Sequence, residues 1–126
     1  MADGINLRAI VAEPLAAALG DGWTVIGHPD LPVRPSGHVV GVYTTDLKPL
    51  PSAPSSYEAT LVVVVLTDSQ DPRKADDDLD PALLEVLQVI WTIPDVVFES
   101  AQRVTRGDSH CWDITVRTAF TATPED

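Results

Sequence analysis

The chain of 126 residues is poor in cysteine, in aromatic residues and in positive charge. Cys111 is its only cysteine, so an intrachain disulfide is excluded and we expect a soluble protein made in a reducing cytosol. Eight basic residues stand against nineteen acidic ones, giving a net charge of −11, and the bases are scattered. Such a chain has no basic stripe with which to follow a nucleic-acid backbone. Its length and its hydrophobic content of 44% fit one globular domain spanning residues 1–126.

The sequence also lacks the motifs of several enzyme and membrane classes. No apolar run approaches the roughly 18 residues of a membrane span, and "MADGINLRAIVAEPL" lacks the basic start of a signal peptide. There is no phosphate-binding loop, dinucleotide fingerprint, nucleophile elbow or metal-ligand spacing of Cys and His. His110 and Cys111 do not form a thiol–imidazole pair, because neighbours in a strand point to opposite faces. We therefore predict no catalytic residue, no cofactor and no metal site.

Two segments show the apolar spacing of helices. Residues 7–19, "LRAIVAEPLAAAL", predict a first helix that is kinked at Pro14 or begins near it. A second helix is predicted from Asp80 as N-cap and Pro81 as first helical residue to about Thr92, after a polar connection over 68–78. Acidic residues in this connection, Asp76, Asp77 and Asp78, are candidates for a charged rim facing a basic partner.

Five further segments have the composition of strands, at 23–28, 38–43, 57–67, 96–105 and 110–122. Between the second and third, residues 44–56 contain three prolines and predict a long loop. The predicted ordered core covers about 5–122, with a loose tail at 123–126. The element order α-β-β-β-α-β-β predicts an α+β fold in which two helices pack on a mostly antiparallel sheet with a long central strand.

The third strand, "YEATLVVVVLT", has one apolar face, while its second face is polar at first and apolar from Val62 to Leu66. The second helix is likewise apolar on nearly all sides, which is typical of a buried helix. Either loops 29–37 and 44–56 cover these surfaces or a neighbouring subunit does, and we favour the subunit. The predicted interface residues are Leu47, Leu50, Val62, Val64, Val86, Val89 and Ile93.

The order of elements over residues 5–122 resembles the tail terminator family of long-tailed bacteriophages, also called tail completion or minor tail proteins. The likeness rests on "LRAIVAEPLAAALG", "GWTVIG", a proline-rich loop, "YEATLVVVVLTD", "LDPALLEVLQVIWTIP" and "HCWDITVRTAF". It implies a structural virion protein, without catalysis, that forms a hexameric ring. Such a ring caps the tail tube, stops its polymerisation and joins it to the head connector.

The resemblance also implies partners and a location. The partners would be five further copies of the chain, the tail tube protein and a head-completion or connector protein, with DNA passing through the lumen without specific binding. The location would be the tail or neck of the virion, after assembly in the host cytoplasm, with no role for a membrane. Alternatives are another neck or head-completion protein, a small cytosolic protein-binding module, or an enzyme whose site residues lie on unrelated strands.

Overall fold

The computed structural model describes residues 7–20, 22–26, 38–51, 55–67, 72–106 and 109–121. Two helices and five strands follow one another along the chain. They are α1 (Leu7–Ala18), β1 (Trp23–Ile26), β2 (His38–Pro49), β3 (Ser56–Leu66), α2 (Pro72–Ile90), β4 (Val96–Arg106) and β5 (Ser109–Thr121). This sequence of elements confirms the predicted order α-β-β-β-α-β-β.

The five strands form a single mixed sheet in the order β1-β2-β3-β5-β4. Only the short edge strand β1 is parallel to its neighbour, and the other three pairings are antiparallel. The 11-residue strand β3 is the central strand, as the sequence predicts. The α+β class and the mostly antiparallel sheet are therefore confirmed.

Both helices pack on one face of the sheet. Helix α1 lies against β1 and β2, while α2 lies against β3, β5 and β4. Alternation along β3 turns Leu61, Val63 and Val65 toward the helices, and all three are fully buried. Burial of a side chain of this size is worth about 1.5–3 kcal/mol, so this face holds most of the apolar stabilisation.

The opposite face of the sheet carries a second, smaller apolar cluster. It consists of Val39, Val64, Leu66 and Cys111, with Val62 partly buried against it. Val64 and Leu66 retain only 0% and 1% of their exposure in the single chain. The expectation that a neighbouring subunit covers these two residues is therefore wrong, since no surface of either side chain is left to cover.

Helix α2 begins at Pro72, nine residues before Pro81, which was predicted to be its first residue. The pair Asp71-Pro72 has the same cap-and-proline pattern as Asp80-Pro81. The helix continues through Pro81 because Leu79 and Ala82 are buried against the sheet, at the same helical spacing as the later core residues Val86 and Ile90. The predicted N-cap role of Asp80 is wrong, and the missing N–H of Pro81 is tolerated in the helix interior.

Helix α1 is continuous through Pro14, so the alternative of a helix beginning near that residue is wrong. Val11 and Leu15 are fully buried on either side of Pro14 and hold the helix against the sheet. The helix ends at Ala18, and the Leu19 N–H donates to the Leu15 carbonyl at 2.8 Å. Gly22 then takes a φ of 92°, which only glycine adopts easily, and leads the chain into β1.

Strand β2 is longer than predicted, because residues 44–49 belong to it and not to a loop. A β-bulge between Thr44 and Asp46 separates this part from the first half of the strand. Pro49 is its last residue and lies beyond the reach of β1, where a missing N–H removes no needed bond. The predicted loop 29–37, the tail 123–126 and the start of the predicted core at residue 5 lie outside the described residues.

Candidate subunit interface

Exposed large apolar side chains are the most informative feature of the surface. Among the described residues they are Leu47 in β2, Leu84 in α2, Trp91 just after α2 and Val97 in β4. Their exposed fractions lie between 51% and 73%. They fall on two sides of the sheet, since β2 and β4 are separated by β3 and β5. Leu84 and Trp91 form one apolar surface and Leu47 belongs to a second, while Val97 lies on the face opposite the helices.

The first surface, called here the α2 flank, consists of Leu84, Leu87, Trp91 and Phe98. Leu84, Leu87 and Trp91 follow one another at spacings of three and four residues, so they lie on one side of the helix axis. The Trp91 N–H donates to the Leu87 carbonyl at 3.0 Å, which keeps Trp91 in helical register after the last helical residue. Its ring centroid lies 6.5 Å from that of Phe98 in β4, within the range of aromatic pairs. Trp91 nevertheless remains 73% exposed.

The second surface, called here the β2 arm, consists of residues 44–49. Strand β1 pairs with β2 only as far as Ile26 opposite Gly41, so no described strand pairs with the arm on that side. All six residues of the arm are exposed. Leu47 lies opposite the fully buried Ala59 and projects an apolar side chain from this open edge.

A charged network occupies the face opposite the helices at the same end of the sheet. The Arg117 guanidinium contacts the carboxylates of Glu58 at 3.7 Å and Glu99 at 3.5 Å. Arg117 and Glu58 line a shallow depression of about 260 Å³, together with Asp95 and Val97. All three ion-paired side chains are one-third or more exposed, so each pair contributes little to stability.

The structure separates the predicted interface residues into two groups. Val64, Val86 and Ile93 are buried in the chain's own core, so they present almost no side-chain surface to a partner. The other four lie at the surface or at its margin: Leu47 is exposed, while Leu50, Val62 and Val89 are half-buried. The sequence pattern did not separate these groups, because apolar residues on a covered and on an open side of an element look alike.

The predicted acidic rim lies within the first half of α2 rather than in a connection before it. The Asp77 side chain is exposed and that of Asp78 is half-buried. Asp76 belongs to the same helix. A rim role for these residues stays a prediction.

Cys111 lies in the second apolar cluster, where its side chain is fully buried. Its thiol donates to the Val104 carbonyl, with an S···O distance of 3.6 Å. His110 points to the other face of β5 by strand alternation. Within the described ranges, no group of three or more His, Cys, Asp and Glu side chains is placed to hold a metal ion.

Three exposed apolar residues were absent from the predicted interface: Leu84, Trp91 and Val97. The first two are seven positions apart in the sequence, which places them on one side of a helix. This spacing could have singled them out once α2 was known to present its other side to the sheet. Val97 carries no such signal, because only the sheet order shows that β4 is an edge strand.

No protein-family model matches this sequence, and no characterised protein matches it at a significant level. The likeness to tail terminators therefore stays a prediction from the order of elements. In the described part of the chain, neither helix has the combination of length and hydropathy that crossing a bilayer requires.

Proposed function

We propose that this chain is a structural subunit of a bacteriophage particle that forms a closed ring at the end of the tail tube. As in the tail terminators that it resembles, the ring would stop tube polymerisation and join the tail to the head connector. The proposal rests on two separate apolar surfaces, the α2 flank and the β2 arm, which lie toward opposite edges of one sheet.

Two different surfaces on opposite sides favour a ring over a dimer. A two-fold dimer uses the same patch on both subunits, and one patch would be enough. Contact between unlike patches is head-to-tail, and it closes into a ring when the rotation between subunits permits. Leu47 on one side and Trp91 on the other supply such unlike patches.

The charge of the chain suits a channel for DNA. Six copies of a subunit with net charge −11 would carry about 66 negative charges. A lumen of the same sign would repel the phosphate backbone and let DNA pass without binding. Because subunits of like net charge repel one another, we expect apolar contacts to provide most of the association and added salt to strengthen the ring by screening that repulsion.

The experiment that tests the proposal is the solution mass by light scattering over a concentration series, with and without subunits of the tail tube. We expect a species of six times the 13.5 kDa subunit, either alone or once tube protein is added. Trp91→Lys should prevent its formation, because a charge would replace the largest exposed apolar side chain. Ala17→Lys adds the same charge at an exposed position of α1, outside the α2 flank and the β2 arm, and should leave the ring intact.

A strict monomer at high concentration that also ignores tube protein would contradict the proposal. A monomer or simple dimer that captures a single protein partner would favour the small binding module instead. A ring that binds only the connector, and leaves tube elongation unchanged in vitro, would favour a neck or head-completion protein.

A further inference from the structure

The two open edges of the sheet lie at the same height, which follows from the strand register. In one row across the sheet, Asp46 of β2 is followed by Thr60, Arg117 and finally Val97 of β4. The row beside it begins at Leu47 and ends at Val96 by the same pairings. Neighbours related by a rotation axis that runs along the strands would keep these heights, so the β2 arm of one copy meets β4 of the next.

The directions of the strands also match. Successive antiparallel pairings make β2 and β5 run one way and β3 and β4 the other. A β2 arm placed beside β4 of another copy therefore continues the antiparallel pattern. Each edge carries one irregularity at this height, between Thr44 and Asp46 and between Phe98 and Ser100. Bulges increase local twist, which a sheet that closes around an axis needs.

Side chains on both faces of this junction are complementary. On the face that carries the helices, Leu47 of one copy would contact Phe98 and Trp91 of the next, and all three side chains are apolar. On the opposite face, Lys48 is 73% exposed, and its row runs through Glu58 and Ala119 toward the position of Asp95 at the other edge. A cation on one edge thus faces a carboxylate, that of Asp95, on the other.

We infer that a second copy of this chain pairs its β2 arm, residues 44–49, in antiparallel fashion with β4 of its neighbour near Val97. The sheets of successive copies then join edge to edge around the ring. This inference rests on the proposed function, because it states how the ring closes. It also explains why β1 is only four residues long: a longer β1 would occupy the edge that the neighbour needs.

Site-directed cross-linking tests the pairing. Asp46→Cys and Val97→Cys place two thiols on the same face and in the same row, and a short bismaleimide would then join neighbouring copies. The double variant should give a ladder of covalent multimers that ends at the closed ring. A mixture of the two single variants should give covalent dimers and nothing larger. Cys111 can remain, because its thiol is buried.

Two controls decide whether the register is right. Asp46→Cys with Gln102→Cys uses an exposed position on the same face of β4, four rows and about 13 Å from Val97, and should give no ladder. Val97→Cys alone should give no dimer, because a dimer would mean that β4 pairs with β4. Equal ladders from both double variants, or a dimer of Val97→Cys alone, would overturn the inference.

The outcome for the pairing can be separated from the outcome for the ring. Leu47→Asp should weaken self-association by at least about 30-fold, as for a central interface residue. Gln102→Asp should change it by less than about 3-fold. If light scattering shows a ring while Asp46→Cys/Val97→Cys gives no ladder, the edge pairing is wrong and the proposed function stands. If no oligomer forms with or without tube protein, both fall.

Discussion

The two ends of the same sheet differ in how they are covered. At one end, called here the closed end, residues 39–43 and 61–66 are apolar on both faces, and Val64 is as deeply buried as Val63 on the other face. At the other end, the open end, residues 44–49 and 96–100 leave edges and side chains exposed. The chain completes its own core at the closed end and leaves apolar side chains exposed at the open end. In the proposed ring, folding and assembly would therefore depend on different residues of the same strands.

The two ends should differ most in how the free energy of unfolding responds to a carboxylate that replaces a valine. Val64→Asp puts a carboxylate into a fully buried apolar cluster, and we expect a loss of more than about 4 kcal/mol in the free energy of unfolding. Val97→Asp places the same group at a position 53% exposed, and the change should stay within about 0.5 kcal/mol. Urea denaturation followed by circular dichroism measures both. Similar losses for the two variants would show that the open end is as important for folding as the closed end.

Buried and exposed apolar side chains can also be compared within helix α2. Leu79 is fully buried against the sheet, so Leu79→Ala should lower the free energy of unfolding by about 2–5 kcal/mol through lost burial and a residual cavity. Leu84 is 59% exposed, so Leu84→Ala should lower it by less than about 1 kcal/mol. Thermal unfolding of the two variants at low protein concentration provides the measurement. The interpretation of the α2 flank as a free surface fails if Leu84→Ala proves as destabilising as Leu79→Ala.

The same comparison shows where sequence patterns stop being informative. Apolar spacing in two segments and strand-like composition in five others were enough to predict the α+β class, the element order and the central strand. They could not show that Val64 is covered by its own chain, because the burial of a strand's second face depends on contacts far away in sequence. The start of α2 was misplaced because Pro81 looks like a first helical residue. Only the burial of Leu79 against the sheet shows that tertiary packing outweighs this local signal.

The limit of what sequence patterns can predict is clearest at the candidate interface. Seven apolar residues were chosen from periodicity, and three of them, Val64, Val86 and Ile93, lie in the core. Hydrophobicity indicates that a side chain avoids water, whether its cover comes from its own chain or from another. Leu47 lies opposite the fully buried Ala59 and is nevertheless 51% exposed, and no property of residues 44–49 predicts this difference.

A smaller change in the free energy of unfolding is expected from Thr67, at the closed end of the sheet. The Thr67 hydroxyl follows β3 directly, is buried, and has no hydrogen-bond partner among the described residues. Thr67→Val replaces that hydroxyl by a methyl group of similar size and should raise the free energy of unfolding by about 1 kcal/mol. Thr67→Ser keeps the hydroxyl and removes the methyl group, so it should not stabilise the protein. Chemical denaturation distinguishes the two, and a loss of stability in Thr67→Val would mean that the hydroxyl is bonded.

The smallest effect on folding should belong to Lys48 in the β2 arm. Its contact with Asp46 is 3.7 Å long and both side chains are well exposed, so Lys48→Met should change the free energy of unfolding by less than about 0.5 kcal/mol. Self-association measured by sedimentation should nevertheless weaken, because the proposed pairing loses a cation that would face Asp95 of the neighbour. Lys48→Arg keeps the charge and should associate normally. A variant that folds as well as the parent and fails to assemble would show that the open end serves contact between copies, whereas unchanged assembly of Lys48→Met would assign that contact to the apolar residues alone.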